Sequence, residues 1–294
     1  MIASRLYQTI ATAFLIIGLS AAAVLAQEPE TVQTFDTGEV TLSYELTGSG
    51  EPLVLIHGYT HNKRSWNLQM NALTDRFLVL RYDRRGWGAS SGHADVSADP
   101  KDLALLLDHL DISSAHIVGH SQGGYVALSF AMNYPDMVDR LVLFGAAPPA
   151  GFGVPWTGPD SFPSNMPQIA QNHGLDSVAT ILFTHPIARG FSDGTEGAKL
   201  ASEMWESYDG DDLLDPRQPS GDTPAPSVEK LPNIDSPTLV ITGEMEMPYF
   251  QLVAEAYNYA IPNSERVTIL GGGHAAHLQQ PERFNAELFR FLKE

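Results

Sequence analysis

The chain has 294 residues, 43% of them hydrophobic, which suffices for one large domain, or a domain with an insertion, around a buried core. Its 17 Lys and Arg against 35 Asp and Glu leave a net charge of −18. That balance excludes the basic neutralisation that drives nucleic-acid binding and opposes docking on an anionic membrane surface.

The first residues read as a targeting segment. Arg5 is the only early positive charge, residues 10–19 are almost wholly apolar, and Val24-Leu25-Ala26 fits a cleavage site before Gln27. A signal peptide over residues 1–26 is expected, with export to a periplasm or secretion. The alternative is an uncleaved anchor, because residues 10–26 approach the lower limit of a membrane span. Cleavage after Ala26 removes one Arg and leaves 16 − 35 = −19. The absence of cysteine rules out disulfides, thiol catalysis, thiolate metal sites and an acylated-cysteine anchor.

Residues 27–36 read as a loose leader. Residues 40–46 alternate apolar and polar side chains as a half-exposed strand does, and Thr47-Gly48-Ser49-Gly50 turns the chain. Residues 52–56 are a continuous apolar run and residues 77–82 another, broken only at Arg81, the pattern of strands buried on both faces. Asp99 before Pro100 predicts a helix N-cap and a first-turn proline, and Leu103, Leu106, Leu107 and Leu110 form one helical stripe. Across residues 115–128 an apolar β-type run ends in Gly119-His120-Ser121-Gln122-Gly123, and a helical pattern follows at once. So sharp a turn holds the serine in a strained conformation. Side chains at 119 or 123 would collide with backbone, and the hydroxyl would stand at a strand end before a helix N-terminus.

A further strand is predicted over residues 140–144. Regular alternation then lapses across residues 146–235, which are rich in Pro and Gly, with helical pieces near 175–182 and 197–208. It resumes with a strand over 238–242, a helix near 249–259 and a strand over 266–270. A last helix carries Phe284, Leu288, Phe291 and Leu292 on one face. Repeated strand–helix units predict an α/β fold, a mostly parallel central sheet with helices on both faces. Residues 27–145 and 236–294 form its core, and residues 146–235 a helical cap inserted over the strand ends.

A catalytic serine requires a base, an orienting acid and a site for the oxyanion. Of the ten histidines, His274 and His277 follow the last strand, and Gly271-Gly272-Gly273 is placed to present His274. His277 is expected either as a loop residue or packed behind the site's own side chains, His120 to point away from the site, and His57 to pack and shape its own loop. Glu244 and Glu246 follow the strand over 238–242. Two apart in an extended loop they face opposite ways, so only one reaches the base.

As a set, these motifs resemble the α/β-hydrolase superfamily, in particular small capped serine esterases, enol-lactonases and perhydrolase-like members. The resemblance is carried by His57-Gly58, Asp83-Arg84-Arg85-Gly86-Trp87-Gly88-Ala89-Ser90, Gly119-His120-Ser121-Gln122-Gly123, Gly243-Glu244-Met245-Glu246, and Gly273-His274 with Pro281-Glu282-Arg283-Phe284. It spans residue 52 to the C-terminus apart from the insertion. It implies a triad of Ser121, Glu246 and His274, with an oxyanion hole from the Tyr59 and Gln122 N–H groups. Relatives usually have aspartate where Glu246 stands and often glutamate at Gln279, and Asp83 is implied to be structural. Serine at the turn excludes the epoxide hydrolase and haloalkane dehalogenase reactions, which need aspartate there.

The implied activity is hydrolysis of a small carboxylic ester or lactone through an acyl-enzyme. The alternatives are an aminopeptidase-like amide hydrolase and a ligand-binding receptor with little turnover. The expected partner is a small-molecule ester or lactone, with no nucleic acid and no stable membrane association after signal cleavage. No metal and no organic cofactor is called for. Phe152, Trp156, Phe162, Phe183 and Trp205 in the insertion either line an apolar substrate pocket or simply pack the cap.

Overall fold

The structure, a computed structural model, describes residues 32–157, 161–191 and 194–293. The expected signal peptide lies outside the described residues, as do residues 27–31 of the expected leader. Among the described residues, no helix is long and apolar enough to cross a membrane.

The strands are β1 (Gln33–Asp36), β2 (Thr41–Gly48), β3 (Glu51–Ile56), β4 (Phe77–Tyr82), β5 (Ala115–His120), β6 (Val138–Phe144), β7 (Thr238–Gly243) and β8 (Ser264–Ile269). They form one sheet in the order β1-β2-β4-β3-β5-β6-β7-β8. From β4 to β8 every pairing is parallel, and β1 and β2 are antiparallel additions at one edge. The expected α/β fold is therefore observed. One correction falls at its start, because residues 33–36 of the expected leader are the edge strand β1. Most of its side chains are exposed, so it has no apolar alternation to read, and its order comes from backbone pairing with β2 and from Phe35 stacked 4.4 Å from the His109 ring.

The helices are α1 (Asn67–Thr74), α2 (Asp99–His109), α3 (Gln122–Asn133), α4 (Met166–His173), α5 (Leu175–Thr184), α6 (Glu196–Glu206), α7 (Asp211–Leu214), α8 (Pro248–Ala260), α9 (Ala276–Gln279) and α10 (Pro281–Leu292). Alternate strand residues point to opposite faces of the sheet. Thus Val54 and Ile56 meet Leu103, Val126 and Val253 of α2, α3 and α8, while Leu53 and Leu55 join the cluster holding Leu73, Leu288 and Phe291 of α1 and α10. This two-sided burial is why runs such as residues 53–56 and 141–144 are apolar at every position.

Asp99 corrects a second expectation. It is the first residue of α2 and makes no cap; its buried carboxylate accepts from Arg84 Nη1 at 2.8 Å. A charge-assisted bond to a guanidinium outcompetes the backbone N–H groups of the helix's first turn.

Between β6 and β7 the chain forms α4 to α7. Helices α4, α5 and α7 share a small core of Met166, Ala170, Val178 and Leu213, and Leu200 and Met204 of α6 pack on Ala275 and Leu278. The returning segment is pinned by Asp95, which accepts from the Ser220 N–H at 2.6 Å and the Gly221 N–H at 3.0 Å. Burial alone would raise the Asp95 carboxyl, but the bonds from Ser97, Ser220 and Gly221 together outweigh it and hold it at about 2. A carboxyl whose folded pKa lies below its unfolded value, roughly 3.9, adds stability above that value and loses it as pH falls through the folded one. The stability difference between wild type and Asp95→Asn in urea unfolding is therefore expected to be full above about pH 4 and to shrink toward pH 2; a difference constant over that range would contradict the assignment.

Candidate active site

Ser121 stands between the end of β5 and the start of α3 with φ 54° and ψ −116°. A non-glycine residue there costs on the order of 1–3 kcal/mol unless its surroundings enforce it. They do. The Ser121 N–H donates to Phe144 O at 2.8 Å, and its carbonyl accepts from the Gly124 and Ala147 N–H groups at 3.0 and 3.1 Å. A Cβ added at Gly119 would lie 2.3 Å from Gly123 O, and one added at Gly123 would lie 2.4 Å from His57 O. Strand, helix and the loop after β3 approach so closely that only glycine fits at both positions.

His274 follows β8 on the glycine loop. Its Nδ1 lies 2.9 Å from Glu246 Oε2, and Glu246 Oε1 accepts the Met247 N–H at 2.9 Å, so both carboxylate oxygens are engaged. Both side chains are buried. Glu244 is exposed and accepts the Gly271 N–H at 2.9 Å, which shapes the loop from outside. Gln279, where relatives often have a carboxylate, uses both ends of its amide. Its Oε1 accepts from the Gly273 N–H at 2.5 Å, and its Nε2 donates to Arg189 O at 3.0 Å, a bond no carboxylate could make.

Ser121 and His274 face the same cavity. His274 Nε2 is buried and makes no hydrogen bond with the described residues, so the serine–histidine contact is looser than a hydrogen bond, as serine sites often are before substrate is bound. The Gln122 N–H opens α3, where no intrahelical carbonyl precedes it. Tyr59 also lines the cavity, on the loop after β3.

That loop is held by Arg84, whose importance sequence reasoning missed. Its guanidinium pairs with Asp99, donates to Gln122 Oε1 at 2.6 Å and reaches Gly58 O at 3.5 Å, so one buried cation ties both sides of the expected oxyanion site. The Arg84 N–H donates to His57 Nε2 at 3.1 Å, and His57 Nδ1–H donates to Gly58 O at 2.9 Å. Burial and the Arg84 charge push His57 well below its usual range, so it is a neutral brace. Asp83 accepts from Lys63 Nζ at 2.8 Å and from the Lys63 and Ala89 N–H groups. The Asp-Arg-Arg-Gly run was the available signal for this network.

One expectation about the surroundings needs correction. The His120 ring does not point away: it lines the cavity beside His274, with centroids 5.1 Å apart, and its Nε2–H donates to His274 O at 2.9 Å. The missing side chain at Gly58 leaves room for it, since a Cβ there would lie 3.0 Å from His120 Nδ1. His277 is not in a loop but on α9; of its two expected places it takes the one behind the site, fully buried against Trp66, Phe144 and the His120 ring.

The cavity encloses about 380 Å³, and Trp156, Phe162, Phe183 and Trp205 line it together with Leu182, Ile187, Phe191 and Phe250. Phe152 does not. It packs edge-on against Tyr249 and onto the main core, because Ala150 pairs with Ser227 and turns the chain that way. Among the described residues no Lys, Arg, Asp or Glu lines the cavity. Tyr59 is steadied from the inserted segment, its hydroxyl donating to Asp212 at 2.9 Å while Asp212 also accepts from Tyr208.

A mostly parallel sheet carrying a strained serine at one strand end and a buried carboxylate–imidazole pair on the same side is the arrangement of an α/β-type hydrolase. The chain belongs to the alpha/beta hydrolase family, which residues 53–287 match. It is 30% identical over 266 residues to RutD of Yersinia enterocolitica, named provisionally for carbamate hydrolysis, covering 85% of this chain and 91% of that protein. A thermophilic esterase from Thermogutta terrifontis superimposes with a TM-score of 0.71 at 28% identity, covering 89% of this chain and 97% of that one. A bromoperoxidase from Bacillus anthracis gives 0.73 at 26% identity, covering 90% and 100%.

The two carboxylates make the site's geometry testable. Glu246→Gln is expected to lower kcat for p-nitrophenyl acetate by roughly three to four orders of magnitude, because a neutral amide fixes neither the imidazole tautomer nor the imidazolium. Glu244→Gln should stay near wild type. The reverse ranking in steady-state assays would assign the acid to the wrong residue.

Proposed function

We propose that this hydrolase cleaves small carboxylic esters or lactones through an acyl-enzyme on Ser121. The observation that carries the reading is Ser121 in its enforced turn on the same cavity as His274, whose other nitrogen is bonded to buried Glu246. In this mechanism Ser121 Oγ attacks the substrate carbonyl while His274 Nε2 takes its proton. The C=O oxygen becomes an oxyanion facing the Gln122 and Tyr59 N–H groups, and Glu246 stabilises the imidazolium. Collapse breaks the C–O bond, and His274 returns the proton to the departing alkoxide. Water then repeats the sequence and releases the acid.

Choice of substrate follows from the cavity. Its aromatic and aliphatic walls suit an apolar acyl or alcohol group, and a charged substrate would find no side chain of opposite charge among the described lining residues. The carbamate named for the Yersinia relative is the second reading; Tyr59, Gln122 and the three lining histidines supply the polar contacts it would use. The inserted segment, on this reading, is a cap that sets selectivity. The targeting pattern in residues 1–26 supports action outside the cytoplasm.

Ser121→Ala should remain folded and lose about six orders of magnitude in kcat, and a fluorophosphonate should label wild type at Ser121 alone. Labelling elsewhere, or near-normal turnover by the variant, would defeat the proposal. Trp156→Ala and Trp205→Ala should change relative kcat/KM across ester chain lengths by about tenfold, the scale of a kilocalorie or two of apolar contact. If both scale all substrates equally, these rings do not read the acyl chain.

A further inference from the structure

A second group of imidazoles reaches from the cavity wall into the core, and the reaction above does not use it. His61 follows the Tyr59 loop, His120 ends β5, and His277 stands on α9. One ring nitrogen from each lies within 4.8 Å of the other two. The His61 and His120 rings stack at 5.7 Å, and His277 is 4.6 Å from His120. His61 Nδ1, His120 Nδ1 and both nitrogens of His277 are buried and make no hydrogen bond with the described residues. Leaving so many polar atoms unpaired among Trp66, Phe144 and Phe284 is unfavourable, and leucine or phenylalanine would fill the same space without that cost.

We propose that His61, His120 and His277 form a binding site for one divalent transition-metal ion of the Zn²⁺ class. An all-imidazole set, with no carboxylate, selects Zn²⁺, Co²⁺, Ni²⁺ or Cu²⁺ over Mg²⁺ and Ca²⁺. His120 has the second contact that metal-bound histidines have: its Nε2–H donates to a backbone carbonyl, that of His274, which fixes the tautomer and leaves the lone pair on Nδ1. Gly58 keeps that nitrogen uncovered. Metal–nitrogen bonds of about 2.0–2.1 Å would draw the nitrogens to roughly 3.3 Å apart, inside the 4.8 Å within which they now lie. The cavity beside His61 provides both room and a route in.

The ion's consequence follows from its neighbour. His274 becomes an imidazolium during attack and sits 5.1 Å, ring to ring, from His120. A dication on His120 opposes that charge and so inhibits turnover reversibly. This effect rests on the Ser121–His274 reading; the binding does not.

The test uses tag-free protein titrated with Co²⁺, followed by its visible d–d absorption, with Zn²⁺ displacement and p-nitrophenyl acetate turnover measured alongside. One saturable Co²⁺ per chain is expected, displaced by Zn²⁺. His277→Leu and His61→Gln should each weaken binding at least about 100-fold, while metal-free turnover of His277→Leu shows that it has folded. Zn²⁺ should lower wild-type turnover, EDTA should restore it, and His277→Leu should resist. No saturable uptake, or uptake unchanged in both variants, overturns the site and leaves the three rings bridged by water. Uptake as expected with undiminished turnover overturns the inhibition alone.

Discussion

The close approach of β5, α3 and the loop after β3 is the constraint on which the site depends. It leaves no space for a Cβ at Gly119 or Gly123, and it forces Ser121 into a positive-φ conformation that serine would not choose. The same crowding leaves Ser121, the first residue of α3 and Tyr59 of the loop after β3 lining one cavity. The strain at Ser121 is small beside the burial of the central strands around it, which is why the fold can carry it.

A layer of buried charge reinforces this arrangement although the chain is strongly acidic overall. Arg84 with Asp99, Arg85 with Asp102, and Lys63 with Asp83 all lie behind the loops that follow β3 and β4. Pairs like these contribute little to stability relative to a well-packed apolar replacement, yet losing one partner strands the other in a medium that cannot solvate it. Their directional bonds to Gly58, Gln122, Lys63 and Ala89 fix loop geometry more tightly than apolar packing would. Charge thus holds the frame while the cavity itself is lined by no Lys, Arg, Asp or Glu among the described residues.

Much of the fold was legible because its signals are local or periodic. Residues 77–82 read as a strand buried on both faces and form β4 with those limits, and the stripe of Leu103, Leu106 and Leu107 packs α2 as expected. Elements with weak periodicity escaped. Edge strand β1 has exposed side chains, α4 begins at Met166-Pro167, and α7 is four residues long. At the site, the structure brings Ser121, His274 and Glu246 together, because a glycine-flanked turn and a glycine loop after the last strand mark their positions locally. What depends on distant partners did not show: Asp99 reaching Arg84, Phe152 turned onto Tyr249, and three histidines from separate parts of the chain meeting at the cavity wall.

The central claim is covalent chemistry at Ser121. Its most direct test is mass spectrometry of protein acid-quenched during turnover of p-nitrophenyl butyrate, followed by peptide mapping. A mass gain of one butyryl group, located on the peptide containing Ser121 and vanishing once substrate is exhausted, is the predicted result. Sustained turnover with the acyl group on another residue, or with Ser121 unmodified even when deacylation is slowed at low pH, would contradict it.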